Sequence, residues 1–466
     1  MIRSLFCLAL LTQGVLAELS KDEASRLVTE TFQELAKTKE LKMGESRDGF
    51  RPFMVEAADE KMRCIGKLYG EAPEGERSLF IAMHGGGGTT KEVNDRQWIN
   101  MVQLYVPEEG WYVAPRAPLN TWKLWHEDHI DPLFSNMIEE MVANYGVDPE
   151  KVYLIGYSAG GDGVFRLGPR MADRFAAATM CAGHPGGVSA VGLKNLPFRI
   201  YMGGQDKAYK RNEHAAKWKV KLADLQKERG GYEHKVTIYP EDGHWMDKKD
   251  AEAIPWMATK TRNSWPKEVI WGKSGVRSER FYWVQGEPKG VFEAKVEGQV
   301  ITLKGLWDSE MTLLLSDELV DLDQPIKVMA DGQEVFEGKV ERTKEAIVDS
   351  LKSRLDVSMA ATASLKVKGE VAPPEPAKKE KPTVKKELAA KKEEPVVKQE
   401  ELAAKQEELA AKQEELAAKQ EELAAKQEEL AAKQKELAAK QKELAAKQKE
   451  LATKKEESTP KKESVE

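Results

Sequence analysis

A short apolar run that ends in a G-x-S-x-G pentapeptide is the feature that most constrains how this 466-residue chain folds. The run Val152–Ile155 has the composition of a buried strand, and Gly156-Tyr157-Ser158-Ala159-Gly160 follows it at once. A turn from strand to helix in so few residues crowds the backbone at Ser158, and the flanking glycines let neighbouring elements approach closely. The pattern predicts an exposed Ser158 hydroxyl above a sheet edge, with the Ala159 peptide N–H facing the same space.

Strand patterns alternate with helical patterns through residues 18–270, for example the helical segments Asp131–Tyr145 and His214–Arg229. This alternation implies crossover connections, so we expect a doubly wound α/β fold with a mainly parallel sheet buried on both faces. Candidate chemistry should then lie just after the strands, at their carboxyl ends. The predicted strands are Ser78–Met83, Trp111–Ala114, Lys151–Gly156, Ala176–Ala182, Phe198–Gly203 and His234–Tyr239.

A glycine-rich loop follows the first of these strands, as His84-Gly85-Gly86-Gly87-Gly88. Consecutive glycines after a strand let backbone N–H groups point at a ligand, as in loops that hold an oxyanion. We expect the N–H of Gly85 or Gly86 to pair with that of Ala159 as an oxyanion hole. The alternative is a flexible surface loop.

A serine nucleophile needs a base within hydrogen-bond reach and a carboxylate that orients the base. His244 follows the last predicted strand, and Asp206 follows the strand before it. The chain order Ser158, Asp206, His244 agrees with this interpretation. Asp242 is too near His244 in sequence to be the obvious carboxylate, but it remains a reserve candidate.

Two tryptophans, Trp122 and Trp125, belong to a loop that follows the strand at Trp111–Ala114, and they could stack on a sugar ring or an aromatic acyl group. Ordinary core packing is an equal alternative. His184 also follows a predicted strand and is a candidate pocket residue.

The same loop carries His126, His129 and Asp131, whose spacing could bind a metal ion. A hydrogen-bonded structural network is the favoured interpretation, because neither a cysteine nor further clustered histidines support a zinc site. We therefore predict that the site uses no metal, and we place His126 at the pocket.

The segments 156–163 and 84–88, the tryptophan loop and Gly243-His244-Trp245-Met246 together resemble esterases of the α/β-hydrolase fold. They are similar to polyhydroxybutyrate-depolymerase-like, acetylxylan- and feruloyl-esterase-like and dienelactone-hydrolase-like enzymes, over residues 45–270. The resemblance implies a serine esterase that hydrolyses small or carbohydrate-linked carboxylic esters without a cofactor. It carries over Ser158, Asp206 and His244 as the triad. A serine peptidase of this fold and a non-catalytic cell-envelope interaction protein remain alternatives.

Short β patterns dominate residues 275–370, with one helical segment near Thr343–Arg354. We interpret this part as a small β-sandwich-like accessory domain, and Arg280-Phe281-Tyr282-Trp283 resembles the start of such a domain in some hydrolases. The expected strands are Phe281–Val284, Val291–Val296, Val300–Leu303, Met311–Leu315, Pro325–Met329 and Val335–Val340.

The remainder of the chain changes texture again after residue 370. Residues 371–397 form a Pro/Lys/Glu linker, residues 398–453 repeat a Leu-containing heptad, and residues 454–466 read as a disordered tail. The heptads predict a long helix, but Gln at the second core position makes a weak seam, so a lone helix and a coiled coil both remain open. We expect this segment to mediate self-association or attachment to the cell envelope.

Residues 1–17 read as a signal peptide cut after Ala17, because the apolar run from Leu5 to Leu16 is too short to span a bilayer. An exported protein, periplasmic or secreted and without a transmembrane segment, is therefore predicted. The two cysteines beyond the leader, Cys64 and Cys181, fall in separate predicted strands and are expected to be buried free thiols. The net charge of −6 argues against a nucleic-acid partner.

Overall fold

Strands of nearly continuous apolar sequence build the central sheet. The protein is described by a computed structural model over residues 18–272, 279–307 and 310–368. The predicted signal peptide, linker, heptad repeat and disordered tail lie outside the described residues. Eight strands form the first sheet in the order β1-β2-β4-β3-β5-β6-β7-β8. Their bounds are β1 (Phe50–Ala57), β2 (Glu60–Tyr69), β3 (Arg77–Met83), β4 (Gly110–Arg116), β5 (Val147–Tyr157), β6 (Ala177–Cys181), β7 (Phe198–Gly203) and β8 (His234–Tyr239).

Strands β3 to β8 pair in parallel, whereas β1 and β2 join the edge at β4 in antiparallel pairs. β4 and β6 are buried along their whole length, which explains why the sequence shows continuous apolar runs there. The structure confirms the predicted doubly wound, mainly parallel sheet. It adds β1 and β2, which the sequence reasoning had not identified because their buried positions alternate with exposed ones.

Helices connect the parallel strands and cover the sheet. Residue pattern and capping explain their ends: Thr90 caps α2 by accepting from the Val93 N–H, and Gly146 ends α3 with a left-handed backbone. The helices of this part are α1 (Lys21–Ala36), α2 (Lys91–Val102), α3 (Ile130–Tyr145), α4 (Ala159–Arg170), α5 (Arg211–Arg229) and α6 (Ala253–Met257).

The β-rich part contains two further sheets. One has five strands in the order β16-β15-β13-β12-β9, and the other has four in the order β10-β11-β14-β17. The helix α7 (Lys344–Ser353) accompanies them. The strands are β9 (Glu268–Gly272), β10 (Arg280–Phe281), β11 (Val284–Gln285), β12 (Pro288–Glu297), β13 (Val300–Trp307), β14 (Glu310–Leu315), β15 (Ile326–Ala330), β16 (Gln333–Gly338) and β17 (Ala363–Lys368).

The boundary between the two parts differs from the predicted gap at residues 270–275. β9 begins at Glu268, inside the predicted hydrolase segment, yet it pairs with β12 of the β-rich part. One hydrophobic cluster joins core residues of both parts, from Leu41 to Val367, so all the described residues form one compact unit. The β-rich part is therefore packed into the main core rather than tethered to it.

A buried carboxylate also ties the two parts together. Asp173, in the 3-10 turn after α4, accepts from the Arg354 guanidinium at 2.6 Å and from the Tyr282 N–H at 3.0 Å. Nearby, Arg262 is paired with Asp356 at 2.7 Å. Because Tyr282, Arg354 and Asp356 all belong to the β-rich part, these buried charges act across the junction.

The first helix packs against the last one. Ala24 and Val28 of α1 share a small hydrophobic cluster with Ile347 and Leu351 of α7. The Leu19 N–H donates to the Arg342 carbonyl at 3.3 Å, which fixes the approach to α1.

Cys64 in β2 and Cys181 at the end of β6 are buried free thiols, which confirms that prediction. Among the described residues, no helix is both long and apolar enough to cross a membrane.

Candidate active site

The turn between β5 and α4 holds Ser158 in a strained conformation, with φ 57° and ψ −122°. Such a backbone is costly for a residue with a side chain and persists where the surroundings over-determine it. The close packing depends on glycine: a Cβ on Gly160 would lie 2.1 Å from the Met83 carbonyl oxygen, and one on Gly156 would lie 2.2 Å from that of Gly160. The Ser158 N–H donates to the Cys181 carbonyl at 2.9 Å, which anchors the turn to β6.

The structure brings Ser158, His244 and Asp206 together from three loops. His244 Nε2 lies 3.0 Å from Ser158 Oγ, and His244 Nδ1 lies 2.7 Å from Asp206 Oδ2. A carboxylate only accepts, so Nδ1–H donates to Asp206, and Nε2 is left to accept from the Ser158 hydroxyl. The Asp206 side chain is 2% exposed, whereas that of His244 is 43% exposed, so the ring faces the cleft from a buried anchor.

Asp206 is itself held in place on its other side. Its second carboxylate oxygen lies 3.6 Å from an Arg211 guanidinium nitrogen, at the start of α5. Its backbone N–H donates to Gly203 at 3.1 Å, at the end of β7. Asp242, the reserve candidate, is instead paired with Lys249 at 2.6 Å.

A residue that the sequence reasoning missed fixes the histidine loop. The Tyr157 hydroxyl donates to the His244 carbonyl at 2.7 Å and accepts from the Met246 N–H at 3.1 Å. Its position directly before Ser158 was the available signal, because that side chain must point towards the loop after β8.

The glycine loop after β3 runs beside Ser158. A Cβ on Gly85 would lie 3.1 Å from the Ser158 Cβ, so this glycine leaves room for the serine. Gly86 and Gly87 have φ values of 112° and 121°, which side-chain-bearing residues rarely adopt. The buried Asn94 of α2 receives the Gly87 N–H and donates back to the Gly87 carbonyl, both at 3.0 Å.

His84 supports this loop from inside the protein. Its Nδ1–H donates to the Gly85 carbonyl at 2.5 Å, and its Nε2 accepts from the Ala117 N–H at 3.2 Å. Burial lowers the pKa of His84 to about 3, so the ring is neutral at physiological pH. A neutral ring is required here, since one nitrogen must accept.

The predicted role of Trp125 in substrate binding is wrong. Trp125 is fully buried, and its indole N–H donates to the His84 carbonyl at 2.9 Å. Its ring packs edge-on against His84 and Phe134. The equal alternative, core packing, is what the structure shows, because the loop folds back beneath the glycines.

Trp122 is 39% exposed and lies beside the glycine loop, with its ring 5.9 Å from that of Tyr209. His184 is half-buried against His214, with ring centroids 4.6 Å apart. Burial lowers the pKa of His184 to about 4. Neither Trp122 nor His184 lines the cavity that contains Ser158.

His126 and its neighbours form a charged network. Burial, with the positive charges of Arg166 and Arg170, lowers the pKa of His126 to about 3. Asp131 is paired with Arg170. No group of three or more metal-ligating side chains lies close enough to hold an ion within residues 18–272, 279–307 and 310–368.

A cavity of about 640 Å³ opens at Ser158 and His244. Much of its wall comes from α2, which directly follows the glycine loop and which the sequence reasoning did not connect with the site. The lining residues are Gly85, Gly86, Gln97, Ile99, Asn100, Met101, Gln103, Leu104, Tyr157, Ser158, His244, Trp245 and Lys248.

A curated protein from Nocardia uniformis subsp. tsuyamanensis, named "Putative esterase NocK", is 31% identical to this chain over 121 residues. The match covers 24% of this chain and 34% of the relative, so the chain spans about a third of that protein's length. The relative's name confirms the expected resemblance to esterases. No family model matches the chain.

Among solved structures, a thermostable esterase is similar with a TM-score of 0.37 and 22% identity, covering 46% of this chain and 64% of that one. An S-formylglutathione hydrolase from Agrobacterium tumefaciens is similar with a TM-score of 0.35 and 13% identity, covering 47% and 98%.

Proposed function

We propose that this protein is a serine hydrolase that cleaves carboxylic esters through an acyl-enzyme. The observation that carries the proposal is the continuous contact from Asp206 through His244 to Ser158, at 2.7 and 3.0 Å, on a strained turn beside a glycine loop. The curated esterase relative supports the same reaction class. The substrate class is a small-molecule or carbohydrate-linked ester.

In the proposed reaction, His244 Nε2 takes the Ser158 proton as Oγ attacks the ester carbonyl carbon. Asp206 keeps Nδ1 protonated and stabilises the imidazolium that forms. The N–H groups of Ala159 and of Gly85 or Gly86 hold the oxyanion. The protonated ring then delivers its proton to the leaving alcohol, and a water molecule, deprotonated by His244, hydrolyses the acyl-enzyme.

Replacing the nucleophile tests the reaction. Ser158→Ala is expected to lower kcat for 4-nitrophenyl acetate by a factor of about 10⁴ or more and to leave the melting temperature unchanged. A fluorophosphonate probe should label the wild type at Ser158 and not the variant. The exposed Ser46, replaced by alanine, is the matched control and should keep both activity and labelling.

The same experiment separates the alternatives. Wild-type protein that neither labels nor turns over esters is a non-catalytic scaffold, and that result contradicts the proposal. Labelled protein that cleaves peptide amide bonds in a Ser158-dependent reaction is a peptidase, because amides are less reactive than esters and a plain esterase does not turn them over.

We further propose that the chain is exported, with residues 1–17 as the leader and the heptad segment 398–453 as a spacer or attachment. The apolar run that ends in Val15-Leu16-Ala17 supports this proposal. N-terminal sequencing of protein from expressing cells should begin at Glu18, and a chain that keeps Met1 would contradict export by this route.

A further inference from the structure

The buried amide of Asn94 is placed to control the backbone that faces the reacting carbonyl. Asn94 is fully buried near the start of α2, and it forms two 3.0 Å hydrogen bonds with Gly87, one in each direction. Gly86, directly before Gly87, packs so closely that a Cβ there would lie 2.0 Å from Asn94 Oδ1. One side chain therefore fixes both peptides that follow Gly85.

A short series of polar side chains holds the Asn94 amide in place. Asn94 Nδ2 donates a second hydrogen bond, at 3.0 Å, to Asn120 Oδ1. Asn120 also accepts from the Arg116 guanidinium, which in turn is held by Asp95 at 2.8 Å. This series orients the amide, because only one rotamer lets Oδ1 face the Gly87 N–H while Nδ2 faces two acceptors.

We propose that Asn94 is a positioning residue that sets the direction of the glycine-loop N–H groups towards the oxyanion. This inference rests on the proposed function. Gly86 and Gly87 can adopt many backbone conformations without the amide, since glycine has no Cβ. A donor that turns away by a small angle is lost to the transition state, where such donors act most strongly.

Kinetics of Asn94→Ala and Asn94→Asp test the role. Both variants are expected to lower kcat for 4-nitrophenyl acetate by about 10- to 1,000-fold, with KM within about threefold of the wild type. The aspartate keeps the shape and accepts from Gly87, but it cannot donate. The rate of fluorophosphonate labelling should fall with kcat, because phosphonylation also passes through an oxyanion. Arg96→Ala, an exposed change on the same helix, is the control.

The proposal can still be tested if the Asn94 variants fail to fold. Asn120 is exposed, so Asn120→Ala should fold while it frees one side of the Asn94 amide. A smaller loss of kcat in this variant supports the proposal. Folded variants at positions 94 or 120 that keep kcat within twofold overturn it. Wild-type protein without Ser158-dependent hydrolysis instead contradicts the proposed function itself.

A different observation concerns Lys248, which lines the same cavity as Ser158 and His244. Of the described residues that line the cavity, only Lys248 carries a fixed charge, among neutral amides, apolar side chains and Trp245. Its neighbour Lys249 pairs with Asp242, whereas Lys248 forms no ion pair with any other described residue. The positive charge of Lys248 acts on the buried Asp250 without a direct ion pair, so the ammonium remains available to a ligand.

The local backbone places the exposed Lys248 at the cavity wall. Asp247 and Lys248 have φ values of 49° and 60°, two consecutive left-handed residues directly after the loop that carries His244. Such conformations cost free energy in residues with side chains, and they concentrate at ligand sites. The buried Met246, which donates its N–H to Tyr157, fixes the preceding residue.

We infer that Lys248 selects esters that carry an anionic group, such as a carboxylate, on the acyl or the alcohol side. This inference also rests on the proposed function. Lys248 is exposed at the cavity wall, where an ammonium attracts a carboxylate modestly and the attraction weakens with added salt. Neutral substrates gain nothing from it, so the charge acts on specificity.

Matched substrate pairs test the selection. On the acyl side, the 4-nitrophenyl monoester of adipate is compared with 4-nitrophenyl hexanoate, and on the alcohol side 4-acetoxybenzoate is compared with phenyl acetate. Lys248→Ala is expected to lower the anionic-to-neutral ratio of kcat/KM about fivefold or more in one pair, mainly through KM. Lys248→Glu should lower it further, and added salt should weaken the wild-type preference.

The exposed Lys219 on α5 lies outside the cavity wall, so Lys219→Ala should leave both ratios unchanged. Ratios that stay within twofold of the wild type in Lys248→Ala and in Lys248→Glu overturn the inference. Because each ratio uses Ser158-dependent rates, a protein inactive on all four esters contradicts the proposed function and not the selection alone.

Discussion

Two aspartates of this protein are almost equally buried and differ in whether a histidine is among their partners. Asp206 is 3% exposed and contacts an imidazole that reaches into the cavity. Asp173 is 1% exposed and contacts the Arg354 guanidinium and a backbone N–H from the β-rich part. Both carboxylates lie near an arginine, since Asp206 is 3.6 Å from Arg211, but only Asp206 also contacts a group that can gain or lose a proton.

The difference distinguishes a carboxylate that can assist proton transfer from one that holds the two parts of the protein together. A buried carboxylate beside a histidine can share its charge with a ring that is protonated only during the reaction. A buried carboxylate whose partners are an arginine and a backbone N–H contributes to packing, because neither partner exchanges a proton during a reaction. Burial alone therefore does not identify a catalytic carboxylate, and contact with a histidine is the distinguishing feature.

The largest expected effect is the loss of catalysis on neutralising Asp206. Asp206→Asn should lower kcat by about 10⁴-fold, because the amide favours the wrong His244 tautomer. The loss of folding stability should be much smaller than the loss of transition-state stabilisation that the fall in kcat represents. Steady-state kinetics and urea denaturation measure the two quantities. Asp242→Asn is the control, and a loss of catalysis there instead would assign the orienting role to Asp242.

The converse substitution at the junction should spare catalysis. Asp173→Asn breaks a buried ion pair and is expected to lower the free energy of unfolding by about 3 kcal/mol. The kcat of the folded fraction should stay within twofold. Asp148→Asn, at a more exposed pair with Lys151, should cost less than about 1 kcal/mol. Equal losses of stability in both variants would contradict the role of the junction.

A smaller effect concerns the pH dependence of folding stability and arises from His126. The pKa of His126 falls from its usual value near 6.5 to about 3 in the folded protein, chiefly through burial. Its contribution to stability is therefore complete above pH 6.5 and is lost as the pH falls towards 3. At pH 5 the loss amounts to about 2 kcal/mol or less.

His126→Gln cannot be protonated, so it should lose less stability between pH 7.5 and pH 5.0 than the wild type. Urea denaturation at both pH values measures the difference. An unchanged slope would show that His126 is solvated and does not contribute to acid sensitivity.

The residues of the proposed catalytic cluster were predicted from the sequence more fully than their surroundings. Ser158, Asp206 and His244 follow strands of strongly apolar sequence, and a parallel sheet brings such positions to one edge. Trp125 could not be assigned in the same way, because loop residues of equal composition point inwards or outwards according to contacts that no local pattern encodes. Asn94 was missed for a related reason, since a polar residue in a helix usually faces solvent.

The success of strand prediction did not follow burial alone. The predicted bounds of β7 and β8 agree with the structure, although β8 is an edge strand whose side chains are only partly buried. β17 (Ala363–Lys368) and β9 were not predicted: β17 carries the exposed polar residues that make an edge strand read as a loop, whereas β9 is apolar and buried but lies at the expected end of the first part. The junction was misplaced because β9 belongs to a sheet of the β-rich part, although the composition of the sequence does not change where β9 begins.

The contact between α1 and α7 sets an order for synthesis. The apolar side of α1, with Ala24 and Val28, is covered by Ile347 and Leu351, which are made more than 300 residues later. Until the ribosome has released that distant helix, Ala24 and Val28 lack the native partners that cover them. A nascent chain stalled within the central sheet should therefore expose an amphipathic helix that chaperones and proteases can bind.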